Sequence, residues 1–451
     1  MNQVQNKKKF FIETYGCQMN EYDSLIAQNI LEKENTEKAP SIESADIILL
    51  NTCAVRENAQ QKVYNRLRSI IHLKKKGAKI GILGCMAQNV KDELFNEKIS
   101  VDFVIGPDSL NALPDILQES NEKIKLVKLS KTELYENHIP DITHHLKDEK
   151  SLSTAYVAIQ RGCDNFCSFC IVPYTRGRER SRNPDLIIKE INNLTEGGIK
   201  SVILLGQNVN SYNYKEINFH HLIENILMNT NLERIYFTSP HPKDFPLELI
   251  DLMAKEKRFI SMIHLPLQSG SNKILKLMKR NYTSEDFLRL TDIIRNKVDD
   301  VFISTDVIVG YPSEDETDFL DTLDTMQKAN FDAAFMFAYS ERMGTHASQN
   351  HKDNVSLEEK QKRLEEIIKQ QLERSSKKNN LYINKTVEVM IEDFSRKNKN
   401  ELSGRMLNGR KVVFSMPEKL KNKPIELIIG SSVNVLIEKT TSSTLLGKSF
   451  D

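Results

Sequence analysis

Residues 161–182 read RGCDNFCSFCIVPYTRGRERSR and set Cys163, Cys167 and Cys170 at intervals of four and three residues. Closed zinc and iron–sulfur sites normally take four ligands. Three thiols therefore either draw a fourth ligand from elsewhere or leave one coordination position open. Zinc sites favour paired CxxC elements, and the chain holds no second one. Soft thiolates suit an iron–sulfur cluster, and three of them around four irons leave one iron free.

The stretch follows an apolar run, AYVAIQRGC (155–163), the first of six. The others are SVILLGQN (201–208), RIYFTSPHP (234–242), MIHLPLQSG (262–270), FISTDVIVGYP (302–312) and FDAAFMFAYS (331–340), each separated from the next by a helical segment. Six β/α units predict a partial barrel, and barrels of parallel strands gather their chemistry at the carboxyl-terminal rim. Cys163 stands where the first run stops.

Upstream, KKFFIETYGC (8–17), ADIILLNTC (45–53), AKIGILGC (78–85) and VDFVIGP (101–107) alternate with the amphipathic segments EYDSLIAQNILEKE, ENAQQKVYNRLRSIIHLKKKG and KDELFNE. That order predicts an open parallel α/β sheet. Three of its strands end in Cys17, Cys53 and Cys85, which parallel pairing brings to one edge. Spacing alone leaves open whether these are ligands or buried core thiols. Downstream, residues 356–380 predict one long charged helix with Leu364, Ile367, Ile368 and Leu372 along a face. Residues 381–451 lack helical period and predict a small antiparallel β-barrel. They carry 12 Lys and Arg against 8 Asp and Glu, a local excess in a chain whose formal charge is +1.

The expected division is an N-terminal α/β domain at 8–125, a linker at 126–148, a central partial barrel at 149–380 and a C-terminal β-barrel at 381–451. No apolar run is long enough to span a membrane, and Glu13 interrupts the first one too early for a signal peptide. Six cysteines in such a chain point to metal ligation and to the cytoplasm. Arg176, Arg178, Arg180 and Arg182 alternate, which fits either phosphate contact or ion pairs with nearby carboxylates.

Over nearly its whole length the chain resembles the methylthiotransferase family of radical S-adenosylmethionine (SAM) enzymes. The matching stretches are ETYGCQMNEYDS (13–24), LNTCAVRENAQQKVY (50–64), LGCMAQ (83–88), the stretch quoted at the outset, LLGQNVNSY (204–212), HLPLQSGS (264–271) and STDVIVGYPSE (304–314). Within the family, YGCQMN and NTCAVRENAQQK most resemble the tRNA-2-methylthio-N6-dimethylallyladenosine synthases. SGRMLNGRKVVF (403–414) with VLIEKTTSSTLLGK (435–448) is similar to the RNA-binding TRAM domain.

The resemblance implies a transferase that adds a methylthio group to carbon 2 of N6-dimethylallyladenosine (isopentenyladenosine) beside the anticodon of tRNA. It implies two 4Fe-4S clusters, one on Cys163, Cys167 and Cys170 with exchangeable SAM, and an auxiliary one on Cys17, Cys53 and Cys85. Gln207, Asn208, Gln268 and Asp306 would face SAM; no catalytic residue is assigned beyond the cluster ligands. The implied partners are the tRNA anticodon arm and an electron donor such as flavodoxin or ferredoxin, with no membrane. The alternatives are the same chemistry on threonylcarbamoyl-adenosine or on a ribosomal protein, and a non-catalytic iron–sulfur RNA-binding protein.

Overall fold

The computed structural model describes residues 7–54, 57–90, 101–118, 126–136, 153–421 and 423–450. The segment KDELFNE and residues 137–152, which include much of the expected linker, lie outside them. The four N-terminal apolar runs form β1 (Lys9–Tyr15), β3 (Ile47–Thr52), β4 (Lys79–Gly84) and β5 (Phe103–Ile105). Two short edge strands complete the sheet, β2 (Glu37–Lys38) and β6 (Leu126–Lys128). The order is β2-β1-β3-β4-β5-β6, with every pairing parallel.

The sheet thus continues three residues into the stretch expected to be linker. A strand this short carries no periodicity, and it is defined only by pairing with β5. Every residue of β3 is buried, as a central parallel strand covered on both faces requires. Helix α1 (Gln18–Lys33) packs Met19, Tyr22, Ile26 and Ile30 on one face of the sheet, and α2 (Glu57–Leu73) packs Val63, Leu67 and Ile70 on the other.

All six barrel strands form, at Thr154–Ala158, Ser201–Leu205, Arg234–Phe237, Met262–His264, Phe302–Val309 and Ala333–Ala338. They pair in parallel as two groups of three, joined by a parallel bridge between Ile235 and Phe259. The inner face of the first three strands is covered by the N-terminal domain. Ala158, Ile203 and Leu205 share an apolar core with α1, and Tyr156 and Tyr236 pack against it.

The helix Leu357–Asn380 ends the barrel unit, but its buried stripe is mostly polar: Lys360, Arg363, Ile367, Gln371, Ser375 and Asn379. Leu372 is exposed. The helix crosses strand ends whose carbonyls need donors: Gln371 Nε2 donates to Phe331 O at 3.1 Å and Ser375 Oγ to Asp332 O at 2.8 Å. In the C-terminal unit, the strands Thr386–Phe394, Glu401–Arg405, Lys411–Ser415, Ser432–Thr440 and Leu445–Ser449 close a five-stranded barrel. Four ladders are antiparallel; the one between Lys411–Ser415 and Leu445–Ser449 is parallel.

This small barrel docks on the amino-terminal ends of the large barrel's strands. Arg234 Nη1 donates to Arg405 O at 3.1 Å, Ser261 N to Leu407 O at 3.3 Å and Asn408 Nδ2 to Asp300 Oδ2 at 2.9 Å. The buried Arg410 pairs with Asp332 and donates to Asn379 Oδ1 at 2.7 Å.

Candidate active site

Parallel pairing delivers Cys17, Cys53 and Cys85 to the carboxyl edge of the N-terminal sheet. Strand β1 lies between β2 and β3, so the chain leaves it in both directions; ligands of open α/β sheets bind at such a switch point. Cys17 is the N-cap residue of α1, and Cys85 opens the short helix Cys85–Val90. Asn20 and Asn51 fasten the first two ends together. Asn20 Nδ2 donates to Asn51 Oδ1 at 2.9 Å and Asn51 Nδ2 to Asn20 O at 2.8 Å, while Cys17 Sγ lies 3.3 Å from Asn20 Oδ1. Gly84, at φ +91°, is held against this pair: an added Cβ would stand 2.4 Å from Asn51 Oδ1.

Cys163, Cys167 and Cys170 lie in the loop after the first barrel strand. Gly162, at φ +79°, lets the Arg178 carbonyl approach where a Cβ would clash at 2.0 Å. Gln207 Oε1 accepts from Gly162 N at 2.6 Å, so this residue props the loop from the second strand end. Ser168 ties it to the far side of the rim through Leu277 O and Tyr311.

All six thiols are free. Burial pushes the Cys163 thiol up to about 12. Burial, then the neighbouring Cys167 charge, pushes Cys170 up to about 11. The hydrogen bond with Cys53 brings the thiol of the solvent-exposed Cys17 down to about 5, aided by the Arg176 charge and by backbone N–H groups of Met19 and Asn20.

Among the described residues only His220, His221 and Glu224 bring three ligand atoms all within 4.8 Å of one another. In each cysteine triad at least one pair of sulfurs lies beyond 4.8 Å, too far apart for all three to share one tetrahedral zinc, although Cys17 and Cys53 are within hydrogen-bond reach. Two sets of three soft donors, neither gathered closely enough for one ion, fit multi-iron clusters.

The two triads lie beside one another. Ile171, next to Cys170, packs with Cys85 and with Ala54, next to Cys53. The arginines that alternate in sequence are mostly absorbed there as ion pairs. Arg176 Nη2 donates to Asp23 Oδ2 at 2.8 Å and its Nε to Cys85 Sγ at 3.2 Å. Arg180 pairs with Asp108, and Arg182 Nη2 donates to Glu190 Oε2 at 2.9 Å. Arg161 pairs with Asp23 as well. Only Arg178 is well exposed, and it holds Asp164. The alternation fails because Arg176 ends a short helix, Val172–Arg176.

Of the residues expected to face SAM, Asn208 is buried with Oδ1 unpartnered and N bonded to Gln160 Oε1 at 3.1 Å. Gln268, at φ +69°, donates its N–H to Asp306 O at 2.8 Å, and Asp306 Oδ2 lies 3.1 Å from His264 Nε2. Gln207 and Asn208 thus stand on one side of the rim, Gln268 and Asp306 on the other. Sequence reasoning missed Arg280, His264 and the exposed Phe335 and Phe337. Arg280 Nη1 donates to Cys167 Sγ at 3.2 Å. Phe335 is opposite Asp306 in the strand register, and Phe337 opposite Ile308, on the face that carries His264.

Residues 9–106 match the uncharacterized protein family UPF0004, residues 157–326 the radical SAM superfamily and residues 380–450 the TRAM domain. A tRNA-2-methylthio-N(6)-dimethylallyladenosine synthase of Azobacteroides pseudotrichonymphae is 46% identical over 98% of this chain and 97% of its own length. Synthases of the same name from Bacteroides fragilis and Chloroherpeton thalassium are 42% and 44% identical, each over 98% of this chain and 96% of its own. Among solved structures, the radical S-adenosylmethionine methyltransferase TsrM of Kitasatospora setae, with cobalamin and a 4Fe-4S cluster bound, has a similar fold. Its TM-score is 0.56 at 14% identity, over 76% of this chain and 77% of that one.

Proposed function

The chain belongs to the family of tRNA-2-methylthio-N6-dimethylallyladenosine synthases, and from that premise we propose that its two cysteine triads divide one reaction between them. The protein is a transferase acting on tRNA, with SAM and 4Fe-4S clusters as cofactors. The triad Cys163, Cys167 and Cys170 holds the cluster that takes SAM, and Cys17, Cys53 and Cys85 hold the auxiliary one. When bound, these cofactors supply the one-electron and sulfur chemistry that an unactivated aromatic C–H bond demands and no side chain offers. One observation carries the division of labour: Ile171, Ala54 and Cys85 pack together, which sets the two triads side by side.

The chain's own groups position and enclose. Gln207 and Gly162 set the first loop, Asn20 and Asn51 align the second triad, and Arg280 donates to Cys167. Asn208, Gln268 and Asp306 remain the proposed SAM contacts. Phe335 and Phe337 offer apolar, stackable faces suited to a prenylated adenine. The proposed units are 8–128, a linker to 148, 149–380 and 381–451, the last gripping the anticodon arm. A flavodoxin or ferredoxin supplies electrons, and the work takes place in the cytoplasm. Among the described residues no helix is long and apolar enough to cross a membrane.

Mass spectrometry of tRNA nucleosides from cells with and without the gene tests the reading. Loss of 2-methylthio-N6-dimethylallyladenosine, with its unthiolated precursor accumulating, is the expected result. An unchanged pool overturns it.

A further inference from the structure

Arg176 belongs to the central barrel unit, six residues after Cys170, yet its guanidinium lies in the N-terminal domain's cysteine site. Nε donates to Cys85 Sγ at 3.2 Å and Nη2 to Asp23 Oδ2 at 2.8 Å, while Nη1 is buried with no partner. The charges around it do not balance. Arg161 and Arg176 both pair with Asp23, Arg180 pairs with Asp108, and Arg161 Nη1 lies 3.7 Å from Asp108. Three guanidiniums against two carboxylates leave one positive charge over for the cysteine thiols beside it. Arg182 is accounted for separately by Glu190.

A buried surplus charge and an unmet N–H are both costly unless something anionic stands beside them. Metal-ligating cysteines are thiolates, so a loaded Cys17–Cys53–Cys85 site places negative charge there. We propose that Arg176 is the counter-charge of the auxiliary site, a positioning residue supplied to that site by the other domain. The inference rests on the assignment of those three cysteines as cluster ligands. A cation beside a cluster stabilises its reduced, more negative state. Asp23 partly offsets that cation. Removing Arg176 and removing Asp23 therefore push the auxiliary potential in opposite directions.

The test uses the full-length chain with Cys163→Ala, Cys167→Ala and Cys170→Ala, which leaves one cluster to observe, reconstituted anaerobically and titrated with redox mediators under electron paramagnetic resonance. Added Arg176→Gln shifts the midpoint potential negative, Arg176→Lys shifts it less, and added Asp23→Asn shifts it positive, all at equal iron content. Equal potentials across the set overturn the proposal. So does a shift of the same sign for Arg176→Gln and Asp23→Asn, which marks a merely structural disturbance. Should Arg176→Gln fail to hold iron, the Arg176→Lys and Asp23→Asn potentials decide. A parent chain that holds no iron at all overturns the ligand assignment itself, and the inference with it.

Discussion

Arg280 Nη1 lies 3.2 Å from Cys167 Sγ, and its other nitrogens are spent on Tyr282 and on the Pro266 carbonyl. The side chain thus fixes the middle cysteine of the CxxxCxxC loop from a segment more than a hundred residues away. Partners of this kind typically contribute 10- to 100-fold to metal affinity or activity. Arg280→Gln is expected to slow deoxyadenosine formation by about tenfold or more and to speed iron loss to a chelator. Arg280→Lys recovers part of each, since it keeps the charge and loses the fork. A wild-type rate in both variants excludes the role.

The two triads are expected to fail differently when emptied. Alanine at Cys163, Cys167 or Cys170 abolishes deoxyadenosine formation and tRNA modification together. Alanine at Cys17, Cys53 or Cys85 leaves SAM cleavage and stops methylthio transfer, with about half the iron retained if both clusters are the same size. Circular dichroism establishes folding first, because a cluster contributes to the stability of its domain. Wild-type product from a folded Cys53→Ala chain returns those thiols to the core.

Phe335→Ala and Phe337→Ala are expected to raise KM for tRNA while SAM cleavage without tRNA is unchanged. Base–aromatic stacking contributes about 1–3 kcal/mol, or roughly 5- to 150-fold in affinity. Unaltered KM in the double variant removes these rings from the substrate site.

The exposed loop residues Arg396, Lys397 and Lys399 provide a cleaner test of RNA binding than deleting the small barrel, which would strip Asp332 of Arg410. Replacing the three by alanine weakens tRNA binding and lowers the salt slope by about 0.7 per lost phosphate contact on single-stranded RNA. Binding with the same slope as the wild type places the contacts elsewhere.

Stability has its own pH signature at the joint between the two barrels. Asp332 faces Arg410, Lys378 at 3.0 Å and Arg295 at 3.5 Å, and burial pulls the Lys378 amine down to about 8. An unfolded lysine titrates near 10.4, so between about 8 and 10.4 the unfolded chain binds more protons and stability rises with pH. Thermal unfolding at pH 7.5 and 10 should show the wild type gaining on Lys378→Met, by up to about 2 kcal/mol. A constant difference between the two proteins argues against the depressed amine.

Much of this architecture is written locally. The ten long apolar runs announce their strands, and cysteines at strand ends announce which edge matters. What stayed hidden depends on partners distant in sequence. Nothing near Arg176 or Arg182 foretells Asp23 or Tyr22, which lie more than 150 residues earlier. Strands of two or three residues have no period to read. In the helix Leu357–Asn380, apolar spacing found Leu364 and Ile367 but not the polar members of the buried face, because the neighbouring surface offers carbonyls that choose them by hydrogen bonding.

The small barrel sits at the amino-terminal ends of the strands and the cysteines at the opposite ends, which makes the large barrel a caliper. Its tallest strand, Phe302–Val309, has eight residues and measures about 26 Å at 3.3 Å per residue. If the small barrel grips the RNA as proposed, that RNA meets the chemistry at the other jaw only when its target nucleotide lies that far along. Selection of one adenosine in the arm can then be geometric as well as chemical, set by the height of a wall that touches no base.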